Sequence, residues 1–169
     1  HIQASECATT GARIDTLVLE YPRAIHAQLL THRVFSKNSS STRAIPLAKS
    51  IEQIKVNPAQ YIWTQNQAGM QGKVITDAGT LHDLQETYLS AMENAMYSAQ
   101  KLASLGAHKQ NAGRLLEPFQ NIRIVLTSTE WENWDWLRMH EAAQGEIDVL
   151  AQAVYDARKN AIPMLLNEG

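Results

Sequence analysis

The amino-acid sequence predicts one α+β domain in which a small mixed or antiparallel sheet packs with a long helix and several shorter helices. Two short segments, 13–21 and 119–127, are rich in β-branched and large apolar residues, as expected of strands. From Leu81 to Leu105 the apolar residues recur every three or four positions, which indicates a long amphipathic helix. The 169 residues, 44% of them hydrophobic, show no internal repeat and no linker, so we expect a single domain over residues 1–169.

Turn and cap residues place the shorter elements. Pro22 and Pro46 suit the first position of a helix, where the missing N–H of proline costs little. Gly106 is expected to end the long helix, and Thr129 and Glu132 have the spacing of a capping box. The serine-rich segment 36–46 is expected to be a loop, and 57–74 to be irregular. The shorter helices are therefore predicted over 22–32, 46–56, 108–117, 130–139 and 141–159.

Composition excludes several classes of function. The net charge is −2 with an isoelectric point near 6.3, which argues against a general nucleic-acid binder. No apolar run approaches the roughly 20 residues that cross a bilayer, and no signal-peptide pattern is present. We therefore expect no membrane association and a cytoplasmic location, or the host cytoplasm if the source is viral. Cys7 is the only cysteine, so no internal disulfide and no cysteine zinc site can form, and we expect no metal.

The informative stretch is THRVFSKNSSSTR, residues 31–43. It carries Arg33, Lys37 and Arg43 with no acidic residue among them, although the chain as a whole is slightly acidic. Short hydroxyl side chains permit a close backbone approach to an anion, and arginine forks match phosphate oxygens. The composition alone is equally typical of a solvated serine-rich loop that caps a helix.

This stretch is similar to the signature of the flavin-dependent thymidylate synthases, which reads Arg-His-Arg, seven residues, then Ser. His32 and Arg33 stand at its second and third positions, and Ser41 stands eight residues after Arg33. The fuller family pattern adds three further residues that this chain also has: Ser36, Asn38 and Arg43. The resemblance implies the thymidylate synthase-complementing protein fold.

Three further segments extend the resemblance. Gln28 matches a family glutamine that faces the pyrimidine, and Arg114, in HKQNAGRLLEP, matches an arginine delivered to the nucleotide phosphate. The last segment follows the family pattern of Asn, four residues, Arg, five residues, Gln, one residue, Glu-Ile, met here by Asn133, Arg138, Gln144, Glu146 and Ile147. Without the resemblance, Gln28 is equally well explained as a surface glutamine, and Arg114 is more often a surface or ion-pair arginine.

The chain departs from the family at two positions. Thr31 replaces the first arginine of the signature, for which Arg23 and Lys37 are candidate substitutes as a cation. Ala142 replaces a histidine that the family often has two residues before the glutamine. The chain also stops where similar short members continue, so we expect its C-terminus to be incomplete.

The resemblance implies a role for each matched residue. Ser41 and Arg138 are the expected catalytic pair, with Ser41 contacting the nucleotide and not acting as a covalent nucleophile. The residues expected to contact FAD are His32, Arg33, Asn38, Asn133 and Leu137. The residues expected to bind dUMP are Gln28, Ser41, Thr42, Arg43, Arg114 and Arg138. The three tryptophans of the last segment are expected to pack in a core or an interface, not around the flavin: Trp131, Trp134 and Trp136.

The implied reaction is the methylation of dUMP to dTMP, with FAD as cofactor and methylenetetrahydrofolate and NADPH as co-substrates. Because the chain lacks G-x-G-x-x-G, FAD is not expected in a Rossmann domain; the resemblance implies a homotetramer with active sites between subunits. Cys7 lies far from every matched segment, which argues against a cysteine nucleophile. Two alternatives stay open: a related flavoenzyme that hydroxymethylates or otherwise modifies a pyrimidine nucleotide, and a non-catalytic nucleotide- or flavin-binding homologue.

Overall fold

The computed structural model describes residues 1–41, 43–68 and 72–167. The chain divides into two compact units. The sheet unit comprises His1–Tyr21, Ile25–Ser39 and Arg123–Gly169, and the long-helix unit comprises Pro22–Ala24 and Ser40–Ile122. The α+β class, with a mixed sheet and one long helix, is confirmed.

Among the residues that the structure describes, the sheet has five strands in the order β3-β4-β2-β1-β5. The strands are β1 (Ile2–Cys7), β2 (Arg13–Pro22), β3 (Ser36–Ser39), β4 (Asn121–Ser128) and β5 (Met164–Leu166). β1 pairs antiparallel with β2, and β3 pairs antiparallel with β4, whereas β5 runs parallel to β1. Alternate residues of β2 and β4 are buried, which is the pattern of a sheet with one covered face.

The predicted strands 13–21 and 119–127 are confirmed as β2 and β4, but the predicted loop 36–46 is wrong over its first four residues. Those residues form β3, in which Ser36 lies opposite Thr127 and Ser39 opposite Ile124. β3 is at one end of the sheet, and an edge strand of this kind accepts polar side chains because it does not need two apolar faces. Pro22 ends β2 instead of opening a helix, since a strand end also tolerates a missing N–H.

The sheet unit contains α1 (His26–Leu30), which follows a 3-10 turn at Arg23–Ile25. Of that turn, Ile25 belongs to the sheet unit and Arg23 and Ala24 belong to the long-helix unit. The other helices of the sheet unit are α5 (Glu132–Arg138) and α6 (Gly145–Asn160). The capping box expected at Thr129 is wrong, because the residue that caps α5 is Trp131 and it makes no side-chain cap bond. The predicted inner face of α6 is confirmed and consists of Ile147, Leu150, Ala151 and Val154.

The long-helix unit is built on α3 (Ala78–Ser104), with α2 (Leu47–Val56), α4 (Lys109–Gly113) and a 3-10 turn at Arg114–Phe119. α3 starts three residues before the predicted Leu81, because the Asp77 carboxylate accepts a hydrogen bond from the Thr80 N–H at 2.8 Å. Gly106 ends the helix as expected, with φ at +89°. The core of this unit consists of Ile51, Ile54, Met92, Met96, Ala99, Leu116 and Phe119.

Within the described residues, no helix is long and apolar enough to cross a membrane.

Candidate active site

Arg138, the last residue of α5, lies against the end of α1 and the residues after it. Its Nε donates to His32 Nε2 at 3.0 Å, and its Nη2 donates to the Gln28 carbonyl and to Thr31 Oγ1, both at 3.2 Å. The Thr31 hydroxyl donates in turn to the same Gln28 carbonyl at 2.7 Å. Residues that are more than 100 positions apart in sequence thus meet around one guanidinium.

His32 is buried, with 4% of its surface exposed, although the sequence places it in a polar segment. Its ring stacks on Phe35 at 5.5 Å and meets the edge of Trp134 at 4.9 Å. Burial, followed by the charges of Arg138 and Lys37, lowers the pKa of His32 to about 4. Because a guanidinium can only donate, Nε2 must be the acceptor, and the neutral ring carries its proton on Nδ1.

Gln28 is held by the next matched segment. Its side-chain nitrogen donates to Gln144 Oε1 at 2.5 Å, and Gln144 Nε2 donates to the Glu146 carboxylate at 2.8 Å. The side-chain oxygen of Gln28 is therefore the atom directed away from this chain of amides. The spacing of the family pattern thus brings Gln28, Arg138 and Gln144 into one network.

Arg23, one candidate for the cation that Thr31 replaces, belongs to the long-helix unit and pairs with Glu117 at 3.6 Å. Lys37 lies beside the network instead. Its Nζ donates to the carbonyls of Leu30, at 3.2 Å, and His32, at 2.7 Å. Burial lowers the pKa of Lys37. Its ammonium group therefore stabilises the backbone of the segment that contains Thr31 and His32.

The other residues expected to contact FAD are on the surface of the sheet unit. Arg33 and Asn38 are exposed, and so are Asn133 and Leu137, which stand four residues apart on α5. Trp134, which is buried, and Arg138, which is partly buried, each stand one position further along α5, about 100° round the helix from that pair. One short helix therefore presents an amide and an apolar side chain outward and anchors the arginine inward.

The remaining residues expected to bind dUMP belong to the long-helix unit. Ser41 is exposed, and its Oγ accepts a hydrogen bond from the Arg43 N–H at 3.3 Å. Arg43 is exposed, as is Arg114, which begins the 3-10 turn after α4. Thr42 lies outside the described residues. The expected site residues are thus divided between the two units.

Of the three tryptophans, Trp131 and Trp134 are core residues, as expected, with 8% and 2% exposure, whereas Trp136 is 71% exposed. Trp131 also borders a separate cavity of about 390 Å³ in the sheet unit. There the Arg158 guanidinium lies 4.4 Å from the Trp131 ring centre and bridges to Asp135 at 2.6 Å. No sequence motif marked this cavity.

Sequence reasoning missed the packing partners of the site. Phe35 contacts His32 and both buried tryptophans, with its ring centre 4.9 Å from that of Trp131 and 5.5 Å from that of Trp134. The only signal for it was a single aromatic residue inside an otherwise polar stretch.

Comparison with known proteins gives a match to one family and to solved structures. The sequence model of the family described as "Thymidylate synthase complementing protein" matches residues 12–164. The UMP/dUMP methylase PolB from Streptomyces cacaoi, bound with 5-Br UMP, has a TM-score of 0.69 at 18% identity, covering 90% of this chain and 70% of the PolB chain. The same enzyme bound with 5-Br dUMP gives 0.67 at 16% identity, covering 90% and 67%. No curated protein matches the chain significantly. At these identities the likeness to PolB concerns the fold.

Proposed function

This chain belongs to the thymidylate synthase complementing protein family, and from that membership we propose that it is a flavin-dependent thymidylate synthase that methylates dUMP to dTMP. The one observation that carries the proposal is the network around Arg138. Its members, Gln28, His32 and Gln144, come from separate segments of the family pattern, and they meet through direct hydrogen bonds.

Arg138 is proposed to act on the pyrimidine. C5 accepts a one-carbon group only when it is nucleophilic, and in an enolate-like form of the ring the negative charge is shared between C5 and the oxygen of the adjacent carbonyl group. A fixed guanidinium stabilises such charge at little reorganisation cost. Gln28, held by Gln144, offers its amide oxygen, which accepts no hydrogen bond from any described residue, to a ring N–H.

Arg43 and Arg114 are proposed to bind the phosphate, and Ser41 and Thr42 to contact the nucleotide beside it. Both arginines are exposed, and no ion pair engages either of them within the described residues. Ser41 is not a nucleophile in this proposal, because its described contact is the Arg43 N–H and not a general base.

The exposed residues of the sheet unit fit a flavin dinucleotide. Arg33 supplies a guanidinium for a pyrophosphate, Asn38 and Asn133 supply amides for polar ring edges, and Leu137, 40% exposed, supplies an apolar contact. FAD, when bound, supplies the redox chemistry, with NADPH as reductant and methylenetetrahydrofolate as carbon donor. We further propose that the chain works in the cytoplasm as a homotetramer, with each active site shared between subunits.

The first test combines flavin uptake with product analysis. We expect the purified chain to bind FAD, its visible absorption to change on addition of dUMP, and mass spectrometry to show methylated product from dUMP in preference to UMP and dCMP. A purified chain that binds neither FAD nor dUMP would overturn the proposal. A hydroxymethylated product, or a preference for dCMP, would replace it with the related pyrimidine-modifying activity.

A matched pair of arginine variants tests the role of Arg138. Arg138→Ala should weaken dUMP binding at least tenfold, which corresponds to the loss of a hydrogen bond to a charged group. Arg123→Ala is the control, because Arg123 is an exposed arginine of the same unit that pairs with Glu20 at 2.9 Å. If both variants weaken dUMP binding equally, Arg138 is not part of the dUMP site.

A further inference from the structure

We propose that Thr31 and His32 are positioning residues that hold Arg138 through uncharged acceptors, so that the guanidinium keeps its full charge for the ligand. The inference rests on the proposed function and concerns a position, Thr31, at which this chain departs from the family pattern.

The first step is a count of the donors on Arg138. Its Nε hydrogen is used by His32, and the Nη2 hydrogens are used by the Gln28 carbonyl and the Thr31 hydroxyl. Nη1 has no partner among the described residues. Three contacts therefore fix the plane of the guanidinium, and the two remaining N–H groups share one nitrogen.

The second step concerns charge. An imidazole nitrogen, a hydroxyl and a backbone carbonyl are all neutral, and Arg138 makes no salt bridge within residues 1–41, 43–68 and 72–167. A carboxylate at any of these positions would hold the side chain more strongly but would also cancel its field. Neutral acceptors orient the cation and leave its attraction for an anionic or charge-developing ligand intact.

The third step is the rigidity of the acceptors. The His32 ring packs against both Phe35 and Trp134, and Arg138 Nε selects the tautomer with the proton on Nδ1. The Thr31 hydroxyl has a fixed direction, because it donates to the Gln28 carbonyl while it accepts from Arg138. An arginine at position 31 could not do this, since a guanidinium has no acceptor.

The test of Thr31 compares Thr31→Val, which keeps the shape but loses the acceptor, with Thr31→Ser, which keeps the hydroxyl. We expect Thr31→Val to weaken dUMP binding about five- to tenfold and Thr31→Ser to stay within about twofold. Thr127→Val is the control for the loss of a threonine hydroxyl, because Thr127 bonds to Thr16 within the sheet at 2.9 Å. Each variant is also measured by thermal unfolding.

A double-mutant cycle separates positioning from a general structural role. In an Arg138→Ala background, Thr31→Val should have no further effect on dUMP affinity, because the residue it positions is gone. A full additional loss in that background would overturn the proposal, as would equal affinity of Thr31→Val and the parent chain.

A readout without ligand separates this inference from the proposed function. Two-bond ¹H–¹⁵N spectra of the imidazole nitrogens should show His32 at neutral pH as the Nδ1–H tautomer, and Arg138→Ala should change the Nε2 signal. If this holds and no dUMP binds, the proposed function fails while the positioning of Arg138 stands. If the parent chain shows the Nε2–H tautomer, the positioning itself is refuted.

Discussion

His32 makes the free energy of unfolding depend on pH in a defined window. Its pKa is lowered from the ordinary value of 6.5 to about 4 in the folded chain, first by burial and then by the charges of Arg138 and Lys37. Below about pH 6.5 the His32 imidazole binds a proton in the unfolded chain but stays neutral in the folded chain. Acidification from pH 7 toward pH 4 therefore favours unfolding, and the contribution is fully present only above pH 6.5.

The magnitude follows from the two pKa values. In the middle of the window the slope approaches about 1.4 kcal/mol per pH unit for one proton, and lowering the pH from 7 to 5 gives somewhat under 2 kcal/mol. We expect a loss of about 1 to 2 kcal/mol attributable to His32.

The assay is urea unfolding at pH 7.0, 6.0 and 5.0, with the same series on His32→Phe. Phenylalanine keeps an aromatic ring against Phe35 and Trp134 but cannot take up a proton. The variant is expected to be less stable at pH 7, and its stability should fall less between pH 7 and pH 5, by about the amount calculated for His32. If the free energy of unfolding falls equally with pH in both proteins, His32 is not a buried neutral histidine. If the parent chain becomes more stable on acidification, the predicted sign of the effect is wrong.

Three further predictions follow from the structure. Arg158→Leu should lower the free energy of unfolding by about 2 to 4 kcal/mol in urea titrations, since it leaves the partly buried Asp135 without its cation; an unchanged midpoint would contradict this. Arg43→Ala and Arg114→Ala should weaken binding of dUMP but not of deoxyuridine in calorimetry, because both are assigned to the phosphate; equal losses for both ligands would reassign them. Thr31→Arg, although it restores the family signature, should weaken dUMP binding, because it removes an acceptor and adds a like charge beside Arg138; tighter binding would disprove the argument.

The fold could be predicted where one segment carries a complete pattern. β2 and β4 alternate buried and exposed residues over 8 or more positions, and α3 repeats its apolar residues over 27 residues. β1, β3 and β5 were not predicted. β3 consists of four polar residues and β5 of three apolar ones, so neither has enough length for a periodicity to appear. Their pairing is decided by the neighbouring strands.

For the candidate site, the sequence predicted a set of residues but not how they are arranged. The spacing of the matched segments identified Gln28, Arg138 and Gln144, which do meet. That His32 is buried could not be read from its polar neighbours, because its burial depends on Phe35 and on Trp134 from a helix about 100 residues away. The roles expected for the exposed residues that bind FAD, and for those that bind the phosphate, stay predictions.

Arg158 contacts α5 and Arg138 belongs to it, and the two arginines have partners of different charge. Arg158 makes two hydrogen bonds to the Asp135 carboxylate, at 2.6 and 2.7 Å, and lies over Trp131, so its charge is neutralised where it stands. Arg138, three residues after Asp135, is held at longer distances by neutral acceptors only, within the described part of the chain. For stability alone, a carboxylate paired with Arg138 would be as favourable as Asp135 is for Arg158. Holding Arg138 with a buried histidine lowers the stability of the chain in acid, and this arrangement agrees with our proposal that the uncancelled charge of Arg138 acts on a ligand.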